Sequence, residues 1–151
     1  MKKVYVGCDS AAVSLKNTAK KIFAEYGFEV VDLGVSEGCD TMYPDVAKAV
    51  CEAIISDNYE SEGALFCGTG IGMCITANKF PGIYAGVAHD NYACERLRLS
   101  NNANVICMGE RIIGLELAKK ILREWCTTSF AGGPSADKVN RIKQLEKELY
   151  K

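Results

Sequence analysis

Ala64-Leu-Phe-Cys67-Gly-Thr69-Gly-Ile71-Gly-Met73 carries an apolar, strand-like run into a cysteine and then into alternating glycines, Gly68, Gly70 and Gly72. Glycines so spaced let a backbone approach an anion closely and turn its N–H groups towards it. Residues 73–79 read as a helix, whose N-terminus would add the positive end of a dipole. A thiol at the lip of such a nest is placed to act as a base or nucleophile, which makes Cys67 the first candidate for chemistry. The loop is not the dinucleotide pattern G-x-G-x-x-G, and no Gly-Lys-Ser/Thr follows it. On spacing alone, an anion site and a turn that only packs a helix tightly on a sheet are equally open.

Strand, turn and helix recur on both sides of this stretch. Residues 4–8, 28–33, 64–66, 83–87 and 104–108 have strand character. Between them, 14–26, 43–56, 73–79, 91–100 and 115–125 have helical spacing, with Pro44 tolerated in a first turn. Gly132-Gly133-Pro134 precedes a last charged helix over 136–150. Such alternation implies an α/β fold, a Rossmann-like doubly wound parallel sheet of five strands with helices on both faces. Sites in such sheets lie at the carboxyl ends of strands, which gathers Asp9, Cys67 with its loop, His89-Asp90 and Gly109-Glu110-Arg111 along one edge.

Composition narrows the function. The 151 residues are expected to form a single domain, and a net charge of −1 offers no electrostatic case for nucleic acid or an anionic membrane. No apolar run approaches a membrane span, and the amino-terminal residues do not read as a signal peptide. The eight cysteines, at 8, 39, 51, 67, 74, 94, 107 and 126, include no C-x-x-C pair, and His89 is the only histidine, so no metal site is expected. Free thiols in a reducing cytoplasm are the economical reading, with all but Cys67 acting as small hydrophobes.

Gly7-Cys8-Asp9, Tyr43-Pro44-Asp45, Cys67-Gly-Thr-Gly-Ile-Gly72, Ala77-Asn78-Lys79, Asn101-Asn102-Ala103-Asn104-Val105 and Gly109-Glu-Arg-Ile-Ile-Gly114 resemble the family of type B ribose-5-phosphate isomerases and galactose-6-phosphate isomerase subunits. The likeness runs in register from residue 3 to about residue 133. It implies aldose–ketose isomerisation of a phosphorylated sugar, of the ribose 5-phosphate type, through an enediolate and without metal or cofactor. On that resemblance Cys67 is the proton-transferring base. The N–H groups of Gly68, Gly70, Ile71 and Gly72, with the Thr69 hydroxyl, form the anion hole. Asp9 matches an acid that binds sugar hydroxyls and relays the ring-opening proton. Tyr43 matches an aromatic lining the pocket, Arg111 a phosphate-facing arginine, and Asn101 a substrate contact reaching a partner subunit's site.

Departures from the family pattern bear on the substrate. Ser10 and Ser100 stand where the family has histidines, the second of which drives ring opening. Pro134 and Lys138 stand where it has phosphate-gripping arginines. Serine is no general base near neutral pH, and lysine lacks the planar two-point grip of arginine. A tetrose 4-phosphate cannot close the usual furanose ring and would need no ring opening. A hexose 6-phosphate isomerase, or a non-catalytic sugar-phosphate binder that kept the nest, are the other readings. His89 reads as a structural residue more readily than as a replacement base, and Trp125 as core or interface. The stripe Val139, Ile142, Leu145 and Leu149 on the last helix needs a partner surface, so a homodimer or homotetramer with shared sites is expected.

Overall fold

The computed structural model describes residues 1–150. Its elements in chain order are β1 (Lys3–Cys8), α1 (Val13–Glu25), β2 (Glu29–Asp32), α2 (Tyr43–Ser56), β3 (Glu62–Cys67), α3 (Ile71–Ala77), β4 (Ala85–Val87), α4 (Asn91–Leu99), β5 (Val105–Gly109), α5 (Leu115–Thr127) and α6 (Pro134–Leu149). The five strands form one sheet in the order β2-β1-β3-β5-β4, and every ladder is parallel. Among the described residues no helix is long and apolar enough to cross a membrane.

The period-two alternation of the central strands splits the core into two layers. Ala64 and Phe66 of β3 join Ile106, Met108, Leu15, Phe23, Ile121 and Trp125 on the face covered by α1, α4 and α5. Leu65 and Cys67 point the other way, among Val46, Val50, Ile54, Met73 and Cys107 under α2 and α3. Because β3 and β5 are buried on both faces, they read as continuous apolar runs.

Several boundaries differ from the sequence expectation, each for a local reason. β3 begins two residues early, at Glu62, a carboxylate only 3% exposed. It is admitted because Arg98 and Lys2 pair with Oε1 while the Trp125 indole N–H donates to Oε2 at 3.0 Å. Trp125 is thus a core residue, with the Arg98 guanidinium 3.9 Å over its ring. α3 begins at Ile71 because Gly70, at φ 77°, completes the reversal one residue earlier. It stops at Ala77, where the Asn78 side chain bonds both the N–H and C=O of Ala85. That contact reserves Ile83 and Tyr84 for a loop and shortens β4.

On α6 only Val139 of the apolar stripe is buried; Ile142 is 44%, Leu145 39% and Leu149 79% exposed. The helix is tied down instead by Glu146, which accepts from the Gly82 N–H at 2.9 Å and the Tyr84 hydroxyl at 2.7 Å.

Removing one partner of a buried ion pair leaves the other charge uncompensated, at a cost of about 3–5 kcal/mol, whereas replacing both with apolar groups is close to neutral. Glu62→Gln is therefore expected to lose stability in that range by urea unfolding. Glu62→Leu combined with Arg98→Leu should recover only part of the loss, because the Trp125 indole N–H and the carbonyls of Ala103 and Thr128 lose their partners. A cost for the single variant within experimental error would mean the network does not hold the amino end of the sheet.

Candidate active site

Strand order reverses direction at β1, which has β2 on one side and β3 on the other, and the crevice at such a switch point is where α/β sheets bind ligands. Asp9 and Cys67 meet there. The Asp9 N–H donates to the Phe66 carbonyl at 3.3 Å, placing Asp9 beside the last residue of β3. One Asp9 carboxylate oxygen accepts from the Ala11 N–H at 3.0 Å, which closes the turn into α1.

Cys67 is buried, 5% exposed, and the Gly70 N–H donates to its Sγ at 3.1 Å. The Ile71 N–H donates to Thr69 Oγ1 at 3.3 Å, so the exposed Thr69 hydroxyl keeps its own proton for another acceptor. Here the structure departs from the sequence reading, in which these amides turned outwards to an anion. The left-handed turn at Gly70 directs its amide onto the sulfur, and Thr69 takes the next one.

The loop lies against the end of β5. The Glu110 N–H donates to the Cys67 carbonyl and the Arg111 N–H to the Gly68 carbonyl, both at 3.0 Å. A Cβ on Gly109 would fall 2.4 Å from Thr69 Cα, and one on Gly70 2.8 Å from the Met108 carbonyl carbon. Both obstacles are backbone, so glycine is required at both positions. Tyr43, in the first turn of α2, covers Gly72, whose added Cβ would meet the ring at 2.4 Å. Arg111 lies over Gly68, with Nη1 3.3 Å from the same construction, and is otherwise exposed.

Ser10 is exposed and borders a 330 Å³ cavity with Val13, Ser14, Asn17, Glu37 and Glu110. The sequence places Glu110 on this edge without a role; its Oε1 accepts from the Leu15 N–H at 2.6 Å and so caps α1. A contact across that separation leaves no local pattern in the chain. A larger cavity of 510 Å³ opens beside Tyr59, Gly82, Tyr84, Lys143 and Lys147, but at the amino end of β4, away from Cys67.

His89 sits at the carboxyl edge with its Nε2 accepting from the Gly109 N–H at 2.8 Å. Burial moves its pKa down, partly opposed by Asp90. The imidazole is thus neutral, protonated on Nδ1, and committed to holding Gly109. Among the thiols, Cys74 is lowered to about 7, chiefly by a hydrogen bond with Cys107, while burial pushes Cys51, Cys94 and Cys126 up to about 12.

Three expected site residues are not brought to Cys67 within the chain. α4 leaves the carboxyl edge at Asp90 and its nine residues span about 14 Å. Ser100 and Asn101 therefore emerge at the opposite edge, beside the start of β5. Lys138 is exposed in the second turn of α6, whose anchor at Gly82 and Tyr84 is also at the amino end of β4.

Residues 4–142 match the model of the family described as Ribose/Galactose Isomerase. The chain is 47% identical to the D-erythrulose-4-phosphate isomerase of Pectobacterium atrosepticum, covering 97% of this chain and 96% of that one. It is 39% identical to the ribose-5-P isomerase B of Listeria innocua, covering 97% and 98%. Among solved structures, the ribose-5-phosphate isomerase B of Clostridium thermocellum superposes with a TM-score of 0.91 at 37% identity, covering 97% and 99%.

A histidine whose folded pKa lies below its unfolded value contributes stability above the unfolded pKa, near 6.5, and loses it as pH falls through the folded pKa. Stability is thus expected to fall on acidification from pH 7.5 to 5. His89→Gln, which keeps an acceptor for the Gly109 N–H but does not titrate, should flatten that slope in a pH series of thermal melts. An unchanged slope would remove His89 as its source.

Proposed function

The chain belongs to the ribose/galactose isomerase family, and from that membership we propose that it interconverts the open-chain aldose and ketose forms of a tetrose 4-phosphate, D-erythrose and D-erythrulose 4-phosphate. One observation carries the choice of substrate. The only imidazole of the chain is bound to the Gly109 N–H, and serines occupy positions 10 and 100, so no histidine is free to act as the ring-opening base. An open-chain tetrose phosphate needs none. The name of the Pectobacterium relative supports the same substrate.

In the proposed reaction Cys67 Sγ removes the proton from the carbon next to the substrate carbonyl and returns it to the neighbouring carbon. The enediolate oxygen formed in between accepts from the Thr69 hydroxyl and from the Gly68 and Gly72 amides, since those of Gly70 and Ile71 are held by Cys67 and Thr69. The Gly70 N–H on the sulfur fixes the position of Sγ at the head of the loop. Asp9, one oxygen fixed by Ala11, holds substrate hydroxyls and moves a proton between them. Tyr43 covers Gly72, Arg111 lies over Gly68, and Ser10 borders the cavity beside Glu110.

The remaining contacts, Ser100, Asn101 and Lys138, are proposed to come from a second subunit, because their own chain puts them at the opposite edge. The exposed Ile142, Leu145 and Leu149 supply an apolar surface for that pairing. A homodimer or homotetramer in a reducing cytoplasm follows, with all eight cysteines free. Ribose 5-phosphate is the second reading, favoured by the Listeria relative.

Proton NMR in deuterated water with tetrose, pentose and hexose phosphates tests the assignment. Exchange and isomerisation are expected with the tetrose first, and Cys67→Ala should cut kcat by about 10²–10⁴-fold. Equal rates with ribose 5-phosphate would favour the second reading, and binding without exchange would mean a non-catalytic protein. Sedimentation at micromolar concentration should find a dimer or larger; a monomer would overturn the shared site.

A further inference from the structure

Ser100, the residue that stands where a general base would be needed for a cyclic sugar, is not alone. Arg96, one helical turn earlier on α4, donates from Nη1 to Ser100 Oγ at 3.3 Å. Its Nη2 reaches only the neighbouring Glu95, at 3.0 Å, in a pair whose side chains are both about 40% exposed. Its Nε is buried and has no partner. This guanidinium therefore spends little on the fold, and its one contact beyond the adjacent residue is the serine.

That contact fixes what Ser100 can do. A hydroxyl has one donor and two acceptor sites, and a guanidinium has donors only. With Arg96 occupying an acceptor site, the Ser100 proton points to a different oxygen, polarised by the cation behind it. The acceptor site left on the hydroxyl lies beside a cation and is no base, so the pair offers donors and takes up no proton. A hemiacetal hydroxyl, which must give up a proton for its ring to open, finds no acceptor base here. The carbonyl oxygen of an open-chain sugar, which only accepts, fits.

The mount is rigid. Arg98 donates to the carbonyls of Ala103 at 3.1 Å and Thr128 at 3.0 Å and pairs with buried Glu62, pinning the end of α4 on both sides of Ser100. The Ser100 and Asn101 N–H groups both donate to the Arg96 carbonyl, at 2.8 and 3.2 Å. Supporting contacts of this kind hold a functional side chain in one orientation.

We infer that Arg96 is a positioning residue: it sets the Ser100 hydroxyl as a donor to the carbonyl oxygen of an open-chain sugar phosphate and thereby selects against cyclic ones. This rests on the reading above that Ser100 contacts substrate in the site of a second copy of the chain. The plain alternative is that Arg96 only complements the negative end of the α4 dipole.

Arg96→Leu, Arg96→Lys, Ser100→Ala and the Arg96→Leu/Ser100→Ala double variant separate the two. The readouts are kcat and KM with D-erythrose 4-phosphate, calorimetric binding of the unreactive open-chain analogue 4-phospho-D-erythronate, and thermal unfolding. Loss of a charge-supported hydrogen bond should weaken binding about tenfold or more. Arg96→Leu is expected to raise KM and the analogue Kd by that factor with kcat within about threefold. It should add nothing in the Ser100→Ala background, and Arg96→Lys should recover part of the loss. An unchanged Kd in Arg96→Leu, an additive double variant, or a loss explained by a lowered melting point would each overturn the proposal. Analogue binding that depends on Arg96 without turnover would sustain it while sinking the isomerase reading. Failure of the wild-type chain to bind the analogue would sink the proposal itself.

Discussion

The backbone of residues 68–70 rests directly on that of Met108 and Gly109, and the rest of the site takes its position from this contact. It leaves no room for a Cβ at Gly70 or Gly109, so two strands separated by a whole βα unit can end side by side. Hydrogen bonds from Glu110 and Arg111 to the carbonyls of Cys67 and Gly68 lock the approach, and His89 holds the Gly109 amide from the far side. Under that clamp the Gly70 amide has one place to point, the sulfur of Cys67. A thiol that would otherwise be one more small hydrophobe in the α2/α3 layer becomes the group at the mouth of the switch-point crevice.

Two buried cations hold the two ends of the sheet. At the carboxyl end, Lys16, 4% exposed, donates to Asp32 Oδ1 at 3.0 Å and to the carbonyls of Gly34 and Val35 at 2.9 and 2.8 Å. It thus fixes the start of the segment that leads to Tyr43. At the amino end, Arg98 and Glu62 do the same for the turn after α4. Isolated charges would be costly at such sites, and each is tolerated because its hydrogen-bonding capacity is filled. These networks spend stability on holding loops rather than on the core, which is where an enzyme on a sheet edge needs rigidity.

Much of this was legible in the chain. Apolar runs punctuated by glycine gave the strand count, and the parallel doubly wound sheet followed from their alternation with amphipathic helices. The turn that carries Cys67, Thr69 and the loop glycines from β3 into α3 was legible because short-range motifs specify short-range geometry. Glu62 was not: a charged residue opening a buried strand looks like loop until Arg98, Trp125 and Lys2, from three other segments, are placed round it. Glu110 as a cap for α1 was hidden for the same reason. The direction of the Gly70 amide was also beyond the sequence, since glycine spacing permits a nest without saying which way each N–H turns. Arg96 was readable in principle, four residues before Ser100 on a helix, but its importance depends on an unpartnered Nε that only packing reveals.

The topology separates what the reaction needs from what chooses the substrate. On the proposed reading, proton transfer and oxyanion stabilisation belong to the ends of β1, β3 and β5, where the clamp leaves little freedom to vary. Ser100, Pro134 and Lys138, three of the four departures from the family pattern, lie instead on segments that a chain of this connectivity cannot bring to its own crevice. On the proposed reading they reach a neighbour's crevice, mounted on the rigid end of α4 and the start of α6. On that reading, exchanging a histidine for a serine on a donated segment would change which sugar is admitted without disturbing a single backbone contact around the thiol. The loop at the end of β3 could then stay the same between relatives named for a pentose phosphate and for a tetrose phosphate, with the choice made on the donated segment.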